Sequence, residues 1–104
     1  MDSFDDIINS NGLTIIDFSA KWCMPCRMLK PILERAGEQL PDVDIYELDI
    51  DENSEVAERY RIFSVPTLVA FRSGKKIDSL VGLCPLEEIL AFVERCKKVD
   101  VSKL

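Results

Sequence analysis

Apolar residues along this chain follow two spacings, and the points where one gives way to the other predict its elements. Ser3, with Asp6 three residues on and Phe4, Ile7 and Ile8 on one side, predicts a capped short helix that stops at Asn11-Gly12. Leu13 to Ser19 is a short apolar run with β-branched residues, which predicts a strand buried on both faces, with Asp17 inside it. From Cys23 to about Leu40 the spacing turns helical, with Met28, Leu29, Ile32, Leu33 and Ala36 as one stripe and a kink expected at Pro31. Pro41-Asp42 ends that helix, and Val43 to Ile50 alternates apolar and acidic residues as a second strand does. Asn53 or Ser54 can cap a short helix reaching about Tyr60. Ser64-Val65-Pro66 leads into a third strand, Thr67 to Phe71, and the turn signal Arg72-Ser73-Gly74-Lys75 joins it to Lys76–Val81 as an antiparallel hairpin. Gly82 breaks the hairpin. Leu86, Ile89, Leu90, Phe92 and Val93 define a last amphipathic helix, entered through Cys84 as N-cap with Pro85 at the first helical position.

Strand, helix, strand, helix, hairpin, helix makes an α/β layer fold with a central mixed sheet flanked by helices. A chain of 104 residues is one domain, 1–104, able to bury roughly two thirds of its unfolded surface. A formal charge of −6 repels phosphate backbones and excludes nucleic acid as a natural partner. No segment has the length and apolarity to cross a bilayer. The opening residues Met1 to Asp6 carry no basic region, so the expected compartment is the cytoplasm.

Four cysteines and no histidine match neither a secreted disulfide scaffold nor the mixed ligands of most zinc fingers. Two of them, in Trp22-Cys23-Met24-Pro25-Cys26, stand between the first strand and the long helix. A Cys-x-x-Cys pair there puts Cys23 against orphan backbone N–H groups and the positive end of the helix dipole, which favour the thiolate that attacks disulfides. The structural alternative keeps the pair as core thiols or half a zinc site. Asp17 must be paired, hydrated or neutral, and burial raises its pKa.

Asp17-Phe18-Ser19-Ala20-Lys21-Trp22-Cys23-Met24-Pro25-Cys26, the helical Pro31, Asp49-Ile50-Asp51, Val65-Pro66-Thr67, the Gly74 turn and Val81-Gly82 stand in an order and spacing that resemble the thioredoxin family from residue 3 to residue 96. The resemblance implies a thioredoxin fold in which Cys23 is the exposed nucleophile, Cys26 resolves the mixed disulfide, and Asp17 accepts or relays the Cys26 proton. It implies a cis bond at Val65-Pro66 and recognition of an extended peptide by the Val65 backbone, a small β-strand addition. Trp22, Met24, Pro25, Val65, Pro66, Gly82 and Leu83 would then form the substrate-binding rim, although Trp22 and Met24 could equally be core and Pro66 an ordinary trans proline.

The chain departs from the family in three places. Met24 replaces the usual glycine, Glu47 stands where a lysine is common, and the family's first strand is missing. Glu47 either shares a pocket with Asp17 or points to solvent. Without the first strand the sheet has about four strands and Val43–Asp49 lies at its edge, protected by its acidic residues. Cys96 continues the last helical stripe and reads as core, whereas Cys84 reads as a capping substitute or an oxidisable thiol.

The function implied is a small dithiol-disulfide oxidoreductase that reduces disulfide-containing client proteins. It would be re-reduced by a thioredoxin reductase, act as a monomer with no bound cofactor or metal, and keep away from nucleic acid and membrane. The alternatives are a metal or iron-sulfur module sharing Cys-x-x-Cys pairs across a dimer, and a redox-dead interaction domain.

Overall fold

A computed structural model describes residues 3–104; Met1 and Asp2, which open the N-terminal stretch read for charge, lie outside the described residues. The elements run α1 (Phe4–Ile8), β1 (Thr14–Ser19), α2 (Met24–Gln39), β2 (Asp44–Asp49), α3 (Ser54–Arg59), β3 (Thr67–Arg72), β4 (Lys75–Val81) and α4 (Leu86–Lys97), with a 3₁₀ turn at Val101–Lys103. The sheet order is β2-β1-β3-β4, with β1 parallel to β2 and antiparallel to β3, and β3 antiparallel to β4. This is the four-stranded mixed sheet expected, with β2 at its edge.

Side chains alternate along β1, and the two helical layers take one set each. Ile15 joins Leu29, Leu33, Phe92 and Val93 in the core under α2 and α4, while Ile16 and Phe18 face Ile8, Val56 and Tyr60 on the side of α1 and α3. All six β1 residues are buried, which is why that stretch is apolar without alternation. Fully burying one such side chain contributes roughly 1.5–3 kcal/mol before entropy is counted. β2 packs Ile45 against one core and Leu48 against the other, and exposes Asp44, Tyr46 and Glu47.

Local chemistry sets most boundaries. Ser3 and Asp6 form a reciprocal capping box at α1, which ends at Ile8, short of Asn11-Gly12, with Asn9 as its C-cap. The hairpin turn places Ser73 and Gly74 at φ +53° and +79°, the handedness that suits a two-residue turn. α2 runs through Pro31 as one helix. Two expectations are corrected. Met28 is exposed and Ile32 only half-buried, because α2 presents a narrower stripe of Cys26, Leu29, Leu33 and Ala36 to the sheet. At α4 the N-cap is Pro85 itself, without a side-chain cap bond, and Cys84 is turned into the core. Asn53 is the N-cap of α3, one of the two residues expected there; its side chain makes no cap bond to the helix, and its amide N–H donates to the Asp49 carbonyl at 2.9 Å.

Candidate functional site

β1 ends at Ser19, the chain turns through Ala20 and Lys21, and Cys23 becomes the N-cap of α2. Its Sγ accepts the Cys26 backbone N–H at 3.2 Å, as a serine oxygen would at this position. Pro25 falls in the first turn, where its missing N–H costs nothing. One helical turn brings Cys26 back under Cys23, with Cα atoms 5.3 Å apart, and the two are disulfide-bonded. Neither sulfur chain lies open: Cys23 is 4% exposed and Cys26 2%. This corrects the expectation of an exposed Cys23, because the N-cap geometry turns Sγ inward toward the Cys26 N–H and a cluster with Ala20, Ile50 and Val65.

The loop before β3 closes over the pair. Val65-Pro66 is a cis bond, and the Val65 carbonyl oxygen lies 3.6 Å from Cys23 Sγ. Thr67 Oγ1 donates to the Ser64 carbonyl at 2.7 Å, and the Gly82 N–H donates to the Pro66 carbonyl at 2.8 Å, so the loop is held from both sides. Gly82 has φ +94°, where a side chain would be strained.

Around the disulfide, Trp22 is 68% and Met24 59% exposed, so neither is core. Leu83 and Pro25 are exposed, Val65 and Gly82 half-buried, and Pro66 is buried. Phe63, 90% exposed two residues before Val65, and the exposed Val81 enlarge the apolar surface, and sequence reasoning missed both. The Asp49-Ile50-Asp51 stretch has a structural task here: Asp51 accepts the Trp22 indole N–H at 2.9 Å, Glu52 pairs with Lys21 at 3.1 Å, and Asp49 accepts the backbone N–H of Asp51. The only sequence signal for this was the motif itself.

Asp17 shares the Ile15 face of β1 and is 2% exposed. In the parallel ladder it is paired with Glu47, and the two alternatives for Glu47 each hold in part: both carboxylates line one groove of about 390 Å³, with Lys30 and Glu34 of α2, and Glu47 is also exposed to solvent. Burial first, and the Glu47 charge second, push the Asp17 carboxyl up to about 7. Its Oδ1 has no hydrogen-bond partner in the protein. The free thiols differ. Cys84 and Cys96 are both buried; burial and Glu88 push Cys84 up, and burial, with Asp78, pushes Cys96 up to about 11.

A disulfide at the start of a helix, beside a cis-proline loop on a mixed four-stranded sheet, defines a thiol-disulfide oxidoreductase. The sequence comparisons name the family. A sequence model of the thioredoxin family, described as Thioredoxin, matches residues 1–95. Thioredoxin of Chlamydia pneumoniae is 50% identical over 94 residues, covering 90% of this chain and 91% of that one. Thioredoxin-1 of Saccharomyces cerevisiae is 42% identical over 82 residues, covering 79% and 80%. A mutant thioredoxin from Halobacterium salinarum NRC-1 superposes with a TM-score of 0.83 at 35% identity, covering 92% of this chain and 84% of that structure. The chain belongs to the thioredoxin family. Among the described residues no three His, Cys, Asp or Glu side chains gather to hold a metal ion, and no finding supports the metal-binding alternative.

Proposed function

We propose that the chain, as one thioredoxin-like domain over residues 1–104, reduces disulfides in client proteins by two successive thiol exchanges. In the reduced protein the Cys23 thiolate attacks a client disulfide; one client sulfur bonds to Cys23 and the other leaves as a thiolate that takes up a proton. Cys26 then gives its proton to the Asp17 carboxylate and attacks Cys23 Sγ. The mixed disulfide breaks, the Cys23–Cys26 disulfide forms, and the second client thiolate leaves. Two electrons have passed from the dithiol to the client.

The observation that carries this reading is the placement of Cys23 as the N-cap of α2, with the Cys26 N–H on its sulfur and the Val65 carbonyl 3.6 Å away. The N–H and the helix end favour the attacking thiolate. The Val65 backbone supplies the edge along which an extended client segment adds. Trp22, Met24, Pro25, Pro66, Gly82 and Leu83 surround it with apolar contact that does not read charge.

α2 carries Cys26 in its first turn and, further along, Lys30, Leu33 and Glu34, which wall the Asp17 groove, so one helix bears the resolving thiol and lines the acceptor's groove. A carboxyl near 7 is half-ionised at neutral pH, the condition under which one group serves as acceptor and later as donor. The dithiol is restored by a partner of the thioredoxin reductase kind. The reading includes a monomer at work in a reducing cytoplasm, where such a donor is maintained.

Reduction of a protein disulfide with dithiothreitol as donor tests it. The native chain is expected to accelerate the reaction and Cys23→Ser to fall to the uncatalysed rate; equal rates for the two would overturn the reading.

A further inference from the structure

Period-2 alternation puts Val43, Ile45 and Glu47 on the same side of β2, the side on which Asp17 leaves β1. Val43 and Ile45 continue into the core under α2, but Glu47 stands at the point where the edge strand reaches water and is exposed. The structure therefore holds a buried carboxyl with an unpartnered oxygen and, at its register position on the neighbouring strand, a second carboxylate that is exposed to water. Of the other charged groups on the groove, Lys30 and Glu34 come from α2 and are exposed; β3 offers the neutral Leu68 opposite Asp17, and no residue of α4 lines the groove. No protein cation is paired with Asp17: neither oxygen takes part in a salt bridge among the described residues.

We propose that Glu47 is a positioning residue for the resolving step: its negative charge, set beside Asp17 across the β1–β2 ladder, decides the pH at which Asp17 can take the Cys26 proton. This rests on the reading of Asp17 as the acceptor. Two like charges in one groove resist being present together, so the Glu47 carboxylate makes the buried partner hold its proton to higher pH. The direction of the Asp17 shift agrees with this placement. The consequence is specific to the second exchange. Attack by Cys23 on the client needs no proton transfer to Asp17, whereas closure by Cys26 does, so Glu47 acts on turnover and leaves client affinity alone.

The test is the pH profile of client-disulfide reduction by the whole chain, with kcat and KM separated, alongside the NMR titration of the Asp17 carboxyl carbon. In the native protein the rising limb of kcat and the carboxyl titration are expected to share a midpoint. Glu47→Gln should move both toward acid by roughly 0.5–1 pH unit, and Glu47→Lys further the same way, with kcat/KM for the client, which reports only the Cys23 attack, unchanged. Asp17→Asn should remove the limb, and adding Glu47→Gln to it should then move nothing. Glu47 lies exposed on an edge strand, so these variants keep the fold. If Asp17→Asn removes the limb but Glu47→Gln and Glu47→Lys leave it in place, Glu47 has no such role and the Asp17 reading stands. If Asp17→Asn leaves the limb intact, the acceptor reading fails and the inference falls with it.

Discussion

The four cysteines form two regions of opposite design. Cys23 and Cys26 sit where β1 ends and α2 begins, at a helix N-terminus, joined to each other and flanked by exposed apolar residues. Cys84 and Cys96 lie in the core under α2 and α4, unpaired, among Leu29, Ile89 and Phe92. All four are nearly inaccessible in the oxidised protein, so exposure does not separate them. What separates them is what surrounds the sulfur. At Cys23 a backbone N–H and a helix end favour negative charge, while at Cys96 burial and Asp78 oppose it. The same residue type is a reagent in one place and packing in the other.

The largest expected effect is on turnover. Cys23→Ser should lower catalysed disulfide reduction by about a thousandfold or more, down to background, and Cys84→Ser and Cys96→Ser should leave it within about twofold. A large loss in either core variant, with the fold intact by circular dichroism, would break the division between the two regions. Alkylation of the reduced native protein sharpens it next. With the Cys96 thiol near 11, on the order of one molecule in ten thousand carries that thiolate at neutral pH, so mass spectrometry should find modification at Cys23 well before Cys96.

Asp17 tests the cost of the reactive region. Its carboxyl is raised from 3.8 to about 7, so the folded protein holds a proton that the unfolded chain releases between those values. Stability from this group is therefore full below about pH 4, is lost as pH rises toward 7, and is flat above. Asp17→Asn, which has no charge to bury, should stabilise the protein at neutral pH by on the order of 2–4 kcal/mol, with the gain vanishing toward pH 4 in denaturant titrations. No gain at neutral pH would mean that the buried carboxylate is compensated. The smallest effect belongs to the packing region: Cys96→Ser places a hydroxyl in an apolar site and should cost about 1–3 kcal/mol of stability by the same titration, without touching activity.

Much of this was legible along the chain because it depends on neighbours a few residues apart. The Ser3–Asp6 box, the buried run of β1, the Ser73-Gly74 turn and the placement of Cys23 just before a helix all follow from spacing and local conformational preference. The misreadings fall where a residue sits at the margin of a face. Met28 fits the helical period of α2, yet the sheet meets only a strip of that helix, so it stays in solvent. Cys84 reads as a cap because it precedes Pro85, but the turn after Gly82 points it inward. Phe63 carries no signal at all. An aromatic between Ile62 and Ser64 is indistinguishable from core until the strand after it is fixed.

The amino-acid order by itself determined the sequence of elements, the turn between β3 and β4 and the placement of two thiols one helical turn apart, since these arise from interactions within a few residues. Only the tertiary structure decided that Glu47 lies opposite Asp17, that the Val65 carbonyl rests beside Cys23, and that burial quiets Cys84 and Cys96. The first two of those relations join residues thirty and forty-two positions apart. They are set by strand register and by which faces the helices cover, and no local period encodes either.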